Sequence, residues 1–289
     1  MSSDIDESGG RQSPVEYFLE DITYQGKKKR TRTAYQRVLT DFESYLESRG
    51  LDFDDANHRD CMAYIHRLRG SVASSTVATY ASYLHRFYDY MTQVGRFDEN
   101  PMSLVLEEID ESINTDPARR DISVVEMRDF FADVTHPLDM AVIGTLLKTG
   151  MRAGELCNLD LRDLKLTDTP ADIDHRANLD GRADAVYVDA EPSMEEVYNG
   201  EKRTASNKRK RATTIPVDDE LGYLLRRWLA VRPDPRSTAD PLFLSMADGW
   251  GKRLTPDMVH HLVESHARDA GWYRVGGGPE ENVTPHYFR

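Results

Sequence analysis

Cysteine is almost missing: Cys61 and Cys157 are the only two in 289 residues. Each lies in an apolar-periodic stretch, which excludes a disulfide framework and a cysteine-built zinc site and fits a cytoplasmic protein. No run approaches the ~18 uninterrupted apolar residues of a membrane-spanning helix. The first ten residues hold no basic segment followed by an apolar one, so no secretory signal is expected. There is no Gly-x-x-x-x-Gly-Lys-Ser/Thr loop and no paired-carboxylate metal pattern, so no cofactor is expected. Lysine is scarce as well, 9 against 28 arginines, while 31 aspartates stand against 19 glutamates. The net charge is −13 and the isoelectric point about 5.2. Such a balance argues against a nucleic-acid binder in general. Rich in Asp and poor in Lys, however, the chain has the composition of a halophilic protein, whose acidic surface is screened in molar salt. Local basic clusters then carry the information.

At ~100–200 residues per domain the length predicts two domains. Residues 1–12 are polar and Gly/Ser-rich and are expected to be a disordered tail. Ser13-Pro14 reads as an N-cap with proline at the first helical position, opening a helix over 15–24. Lys27, Lys28, Lys29, Arg30 and Arg32 follow. Apolar spacing predicts helices from Thr33 to Gly50, over 55–68, and from Ser74 or Ser75 to Gly95. Residues 13–95 thus read as a four-helix bundle. Asn100-Pro101 breaks the pattern, and the acidic stretch to about Ala118 reads as a hinge. The remainder is mixed, with helices predicted at 123–134, 138–148, 153–159, 219–229 and 255–270 and strands at 185–189 and 213–217. No internal repeat is found. The chain stops at Arg289, one turn into a helix start at Thr284-Pro285, and is expected to be a fragment.

Three features of the second half carry chemistry. In Thr149-Gly150-Met151-Arg152-Ala153-Gly154-Glu155, Arg152 follows a helix-ending glycine and Glu155 can pair with it. A pre-positioned guanidinium suits a phosphate oxygen, although a helix end with a surface ion pair explains this motif equally well. From Lys202 to Arg211, six of ten residues are basic and none is acidic. Preceding a strand, this reads as a β-hairpin tip able to follow a nucleic-acid backbone; a solvated basic loop is the alternative. Last, His286 and Arg289 stand i, i+3 at a helix start, a ready anion site, though a lone histidine near a helix end is common.

Together, in this order, the three resemble the tyrosine recombinases, also called phage integrases, including their Xer-like and archaeal members. The resemblance covers nearly the whole chain. It implies a mainly α fold: a helical core-binding (SAM-like) domain over 13–110, then an α+β catalytic domain with a small antiparallel sheet over 118–289. It implies Arg152 as the first catalytic arginine with Glu155 as its support, and His286 and Arg289 as the His-x-x-Arg box. Counting back from Ile215-Pro216 places the catalytic lysine at Lys208, with Lys210 a nearby competitor.

The same resemblance implies DNA strand cleavage and rejoining through a 3′-phosphotyrosyl intermediate without metal or ATP, double-stranded DNA as partner, and a tetramer on paired sites. Lys27, Lys28, Lys29, Arg30, Arg32, Lys202, Arg203, Arg209, Lys210 and Arg211 are the expected DNA contacts. One departure stands out. The family's nucleophilic tyrosine lies downstream of the His-x-x-Arg box and is expected to be missing here. Tyr287, between His and Arg, cannot replace it, and Tyr273 reads as a loop or core residue. The chain is therefore expected to bind DNA without cutting it. A non-catalytic regulator or inactive remnant using the same DNA clamp is the alternative.

Overall fold

The structure, a computed structural model, describes residues 12–27, 29–112, 119–167 and 174–288. Expectations placed on residues 1–11, Lys28 and Arg289, and parts of the proposed hinge and of the acidic stretch, lie outside the described residues. The chain forms two compact units, Met1–Asp116 and Pro117–Arg289.

The first unit is helical. Helix α1 (Pro14–Tyr24) starts as the sequence predicts: the Ser13 hydroxyl accepts the Val15 N–H at 3.3 Å, with Pro14 in the first turn. Helix α2 (Lys29–Glu47) begins one turn before the predicted Thr33. Lys29, Arg30 and Arg32 are therefore its first turn, as good helix formers can be. Arg32 donates to the Thr23 hydroxyl at 2.8 Å. Helix α3 (His58–Leu68) starts later than predicted because Asn57 and Asp60 form a reciprocal capping box there. Helix α4 (Ser74–Gln93) runs as read.

A fifth helix, α5 (Met102–Glu108), lies where a hinge was expected. Met102 and Val105 are fully buried against the other helices, and that burial overrides the weak periodicity of the acidic stretch. The bundle thus has five helices among the described residues, not four. Its core is aromatic, with Phe42 edge-on to Tyr64 at 4.8 Å and Phe53 against Phe87 at 5.0 Å.

The second unit is α+β. Helices α6 (Val124–Ala132), α7 (Pro137–Thr149) and α8 (Ala153–Cys157) come first. Strands β1 (Leu164–Lys165) and β2 (Ala185–Val188) pair antiparallel, with Leu164 opposite Val186. A separate hairpin of β3 (Val197–Tyr198) and β4 (Glu201–Lys202) follows. Strand β5 (Thr213–Pro216) returns to β2, Ile215 opposite Val186, so the sheet order is β1-β2-β5. Helices α9 (Asp219–Val231) and α10 (Pro256–Asp269) and a 3-10 turn, Pro285–Phe288, complete the unit.

Helix α7 is apolar on most of its surface because it crosses the middle of this core; Ala141, Val142, Ile143 and Leu146 are all fully buried. It packs against α9 at Gly144, where a Cβ would stand 2.6 Å from Leu224 Cδ1. The Trp228 indole fills the interior and donates to the Leu242 carbonyl at 2.8 Å. Among the described residues no helix is long and apolar enough to cross a membrane.

Candidate phosphate-binding site

The site is built where α7 stops. Gly150 takes the left-handed conformation, φ 61°, and its N–H bonds the Leu146 carbonyl at 3.0 Å. That turn suits glycine, which carries no Cβ penalty there. It buries Met151 and leaves Arg152 as the residue entering α8. Glu155 then folds back. Its Oε2 accepts the Arg152 backbone N–H at 2.9 Å, and its Oε1 accepts Arg152 Nη1 at 2.9 Å. The Glu155 side chain is 1% exposed and that of Arg152 is 31% exposed. A buried carboxylate thus fixes an arginine whose side chain keeps surface. This is the pairing the sequence predicted, and burial of Glu155 makes it more than a surface ion pair.

The basic segment is arranged differently from expectation. It is not a hairpin tip. The chain leaves β2 and turns at Asn199-Gly200, both at positive φ (52° and 75°), as a two-residue hairpin turn requires. It comes back through Lys202–Arg211 to β5. The tip is therefore Asn199-Gly200, and the basic residues line the returning arm. The Asn-Gly pair was the available signal in the sequence.

Along this arm side chains alternate inward and outward with the period of extended chain. Arg203, Ala205 and Asn207 are buried and Arg209 is half-buried, whereas Lys202, Thr204, Lys208 and Lys210 are exposed. Arg203 is thereby corrected from a DNA contact to an interior group. It is 1% exposed, and its two Nη atoms reach Asp160 at 3.1 and 2.7 Å. Lys202 is exposed but pairs with Glu195 at 2.6 Å. Arg209 turns back to the arginine turn, where its Nη2 reaches Glu155 Oε2 at 3.2 Å. Lys210 and Arg211 are exposed on the same arm.

Several buried polar groups that the sequence did not single out hold this arm. Asp160 accepts from Arg203, from Arg253 at 2.6 Å and from Asn199 at 2.8 Å. Asn158, at the end of α8, donates to the Ala205 carbonyl at 3.0 Å and to Asn207 Oδ1 at 2.8 Å. Asn207 in turn donates to the Asp189 carbonyl at 2.7 Å. Lys208 follows directly after this clasp. At Asp189, the residue that Asn207 meets, burial and a 2.5 Å hydrogen bond push the Tyr198 hydroxyl up to about 12. That phenol remains protonated and serves as a tether.

His286 is exposed on the 3-10 turn, while Pro285 and Phe288 anchor the turn in the core against Phe130. The turn packs on α7, the helix that ends at Gly150. It is a 3-10 turn rather than the expected α-helical start. The hydroxyl of Tyr287 accepts the Arg120 N–H at 2.6 Å and donates to the Pro279 carbonyl. Tyr273 is half-buried at the core edge, with Arg268 stacked 4.6 Å from its ring centroid.

In the first unit Lys27 and Arg30 are exposed, and Arg32 is half-buried against Thr23. One group of carboxylates among the described residues, Asp52, Asp54 and Asp55, is close enough to share a cation. All three are exposed, as surface acids commonly are without a metal.

Comparison with known proteins agrees with this architecture. Residues 126–289 match the phage integrase family, and residues 15–95 match the phage integrase N-terminal SAM-like domain. The chain is 26% identical over 155 residues to tyrosine recombinase XerD of Shewanella oneidensis, covering 53% of this chain and 52% of the relative. It is 24% identical over 288 residues to tyrosine recombinase XerC of Azotobacter vinelandii, covering 96% and 80%. It is 30% identical over 155 residues to tyrosine recombinase XerD of Rhizobium meliloti, covering 50% of each. The match thus spans only about half the length of two of these relatives.

Among solved structures, the Tn1549 transposon integrase in complex with a circular intermediate DNA superposes with a TM-score of 0.68. Identity is 17%, over 96% of this chain and 84% of that one. A lambda integrase dimer bound to a COC′ core site gives 0.63 at 14% identity, over 95% and 85%. At such identities the likeness is one of fold. With its arginine turn, its α+β second unit and a family match extending over residues 126–289, the chain belongs to the phage integrase family, the tyrosine recombinases.

Proposed function

We propose that the chain takes part in site-specific DNA recombination, in which strands are cut and rejoined through a 3′-phosphotyrosyl intermediate. The observation that carries this reading is Arg152, fixed by a buried carboxylate with its side chain partly exposed. Such a group costs no reorganisation when charge builds on a phosphate oxygen. In this reading Arg152, with Arg289, binds the non-bridging oxygens of the scissile phosphate. Lys208, exposed just after the Asn158–Asn207 clasp, protonates the leaving 5′-oxygen, and His286 assists proton transfer or orients the phosphate. Lys210, Arg211 and the group Lys27, Lys28, Lys29, Arg30 and Arg32 contact the DNA backbone. The relatives named tyrosine recombinases support the reading, as does the fold shared with integrases solved on DNA. Assembly is as a tetramer on paired sites, in a cytoplasm of high salt that suits the acidic composition.

Tyr287 and Tyr273 are not the nucleophile in this reading. The Tyr287 hydroxyl already makes two backbone hydrogen bonds. A second reading is a DNA-binding protein that uses the same residues without cleavage.

The test selects duplexes bound by the chain from a random pool in high KCl. It then offers the selected site as a nicked suicide substrate. Both readings expect duplex binding whose logarithm falls with log salt by about 0.9 for each neutralised phosphate. Neutralising the Lys27–Arg32 cluster is expected to flatten that slope. Failure to bind duplex DNA overturns both readings. A covalent adduct mapped to Tyr287 or Tyr273 overturns the assignment of those two residues.

A further inference from the structure

We propose that Arg209 is a second phosphate-binding guanidinium, paired with Arg152 on the shared carboxylate of Glu155. The inference rests on the reading of Arg152 as a phosphate ligand and adds a residue to that site. Three observations meet there. The alternation of the returning arm turns Arg209 inward, toward the arginine turn, while Lys208 and Lys210 face outward. Glu155, 1% exposed, takes Arg152 Nη1 on one oxygen at 2.9 Å and Arg209 Nη2 on the other at 3.2 Å. Both side chains keep surface, 31% for Arg152 and 20% for Arg209.

The charges do not balance. Among the described residues two guanidiniums share one buried carboxylate, leaving an excess of one positive charge, which the single negative charge of a phosphodiester would complete. Arg203, on the same arm, shows the contrast. Its side chain is fully buried against two carboxylates, Asp160 at 2.7 Å and Glu201 at 3.8 Å, which Arg253 shares and of which Asp160 also meets Arg162 at 3.9 Å. Arg203 has the arrangement of a tether. Arg209 has that of a ligand held ready, because Glu155 holds its Nη2 while the side chain stays 20% exposed. Among the described residues the Nε atoms of Arg209 and Arg203 are both buried without a hydrogen-bond partner, so the open part of Arg209 is not its Nε.

Inorganic phosphate is the probe, titrated into the full chain while arginine Nε–H resonances are followed by nuclear magnetic resonance. The Arg209 and Arg152 signals are assigned by their loss in Arg209→Lys and Arg152→Lys. The expected result is that both signals shift together along one saturation curve. Arg209→Gln should weaken phosphate binding about ten-fold, the effect of one charge-assisted hydrogen bond, and Arg209→Lys should weaken it less. If phosphate shifts the Arg152 signal and not that of Arg209, and Arg209→Gln binds phosphate like the unaltered chain, Arg209 is only a tether and the proposal falls. If phosphate moves neither signal, the reading of Arg152 falls first and this one with it. The titration of the unaltered chain decides the matter even if Arg209→Gln fails to fold.

Discussion

Replacing Asp160 by asparagine should be among the most damaging isosteric changes in the second unit. Asp160 is fully buried and accepts from Arg203 through two bonds, from Arg253 and from Asn199. Glu201 adds a second carboxylate on Arg253, 2.9 Å from Nε and 2.5 Å from Nη2. Arg162 Nε lies 3.9 Å from the same carboxylate as Arg203, so Asp160→Asn removes the one negative charge common to Arg203, Arg253 and Arg162 with almost no change of volume. Breaking a buried pair in this way costs about 3–5 kcal/mol. For a unit of this size each kcal/mol moves the midpoint by ~2–4 °C, so melting should fall by roughly 6–20 °C.

The assay is direct because all three tryptophans, Trp228, Trp250 and Trp272, lie in the second unit, so their fluorescence reports that unit alone. Buried charges are screened little by salt, so the loss should persist in molar KCl. As a control, Glu264→Gln removes a half-buried surface partner of the exposed Arg268 and should change little. The hairpin should also loosen, giving faster proteolysis between residues 195 and 212. A loss below about 1 kcal/mol with unchanged proteolysis would refute the view that this charge group holds the basic arm.

Three further outcomes are expected. Gly144→Ala should destabilise the second unit by about 1–3 kcal/mol in denaturant titrations, because the new Cβ meets Leu224 Cδ1 at 2.6 Å; a stabilised variant would show that α9 yields. Asp218 caps α9, and the Leu221 N–H and then Lys148 hold its carboxyl below the usual aspartate range. With the folded value depressed, the stability it contributes is present above the unfolded value of ~3.9 and is lost as pH falls through the folded one. Asp218→Asn keeps the cap oxygen without titrating and should flatten that acid limb in urea midpoints measured against pH. Finally, burial pushes the Cys61 thiol up to about 12 and raises that of Cys157. Iodoacetamide at pH 8 should therefore label neither in the folded chain and both in denaturant, as read by mass.

Much of this protein follows from local rules that a sequence states openly. Ser13-Pro14 starts a helix, Gly150 ends one and Asp218 caps another because capping and left-handed turns need only neighbours within a few residues. The Arg152–Glu155 pair is local in the same sense, three residues apart on one turn. Other features depend on partners far along the chain. Met102 and Val105 make α5 a helix because the rest of the bundle buries them, which no weak acidic periodicity reveals. The basic arm is the clearest case. From Lys202 to Arg211 the sequence presents one undivided positive run. Folding sorts it by the alternation of extended chain: Arg203 onto Asp160, 43 residues away, Arg209 onto Glu155, 54 residues away, and Lys208 and Lys210 outward. Composition marked that segment as cationic. Only the tertiary structure decided which of its charges are consumed inside and which remain for a partner, because that depends on where buried carboxylates lie when the chain closes.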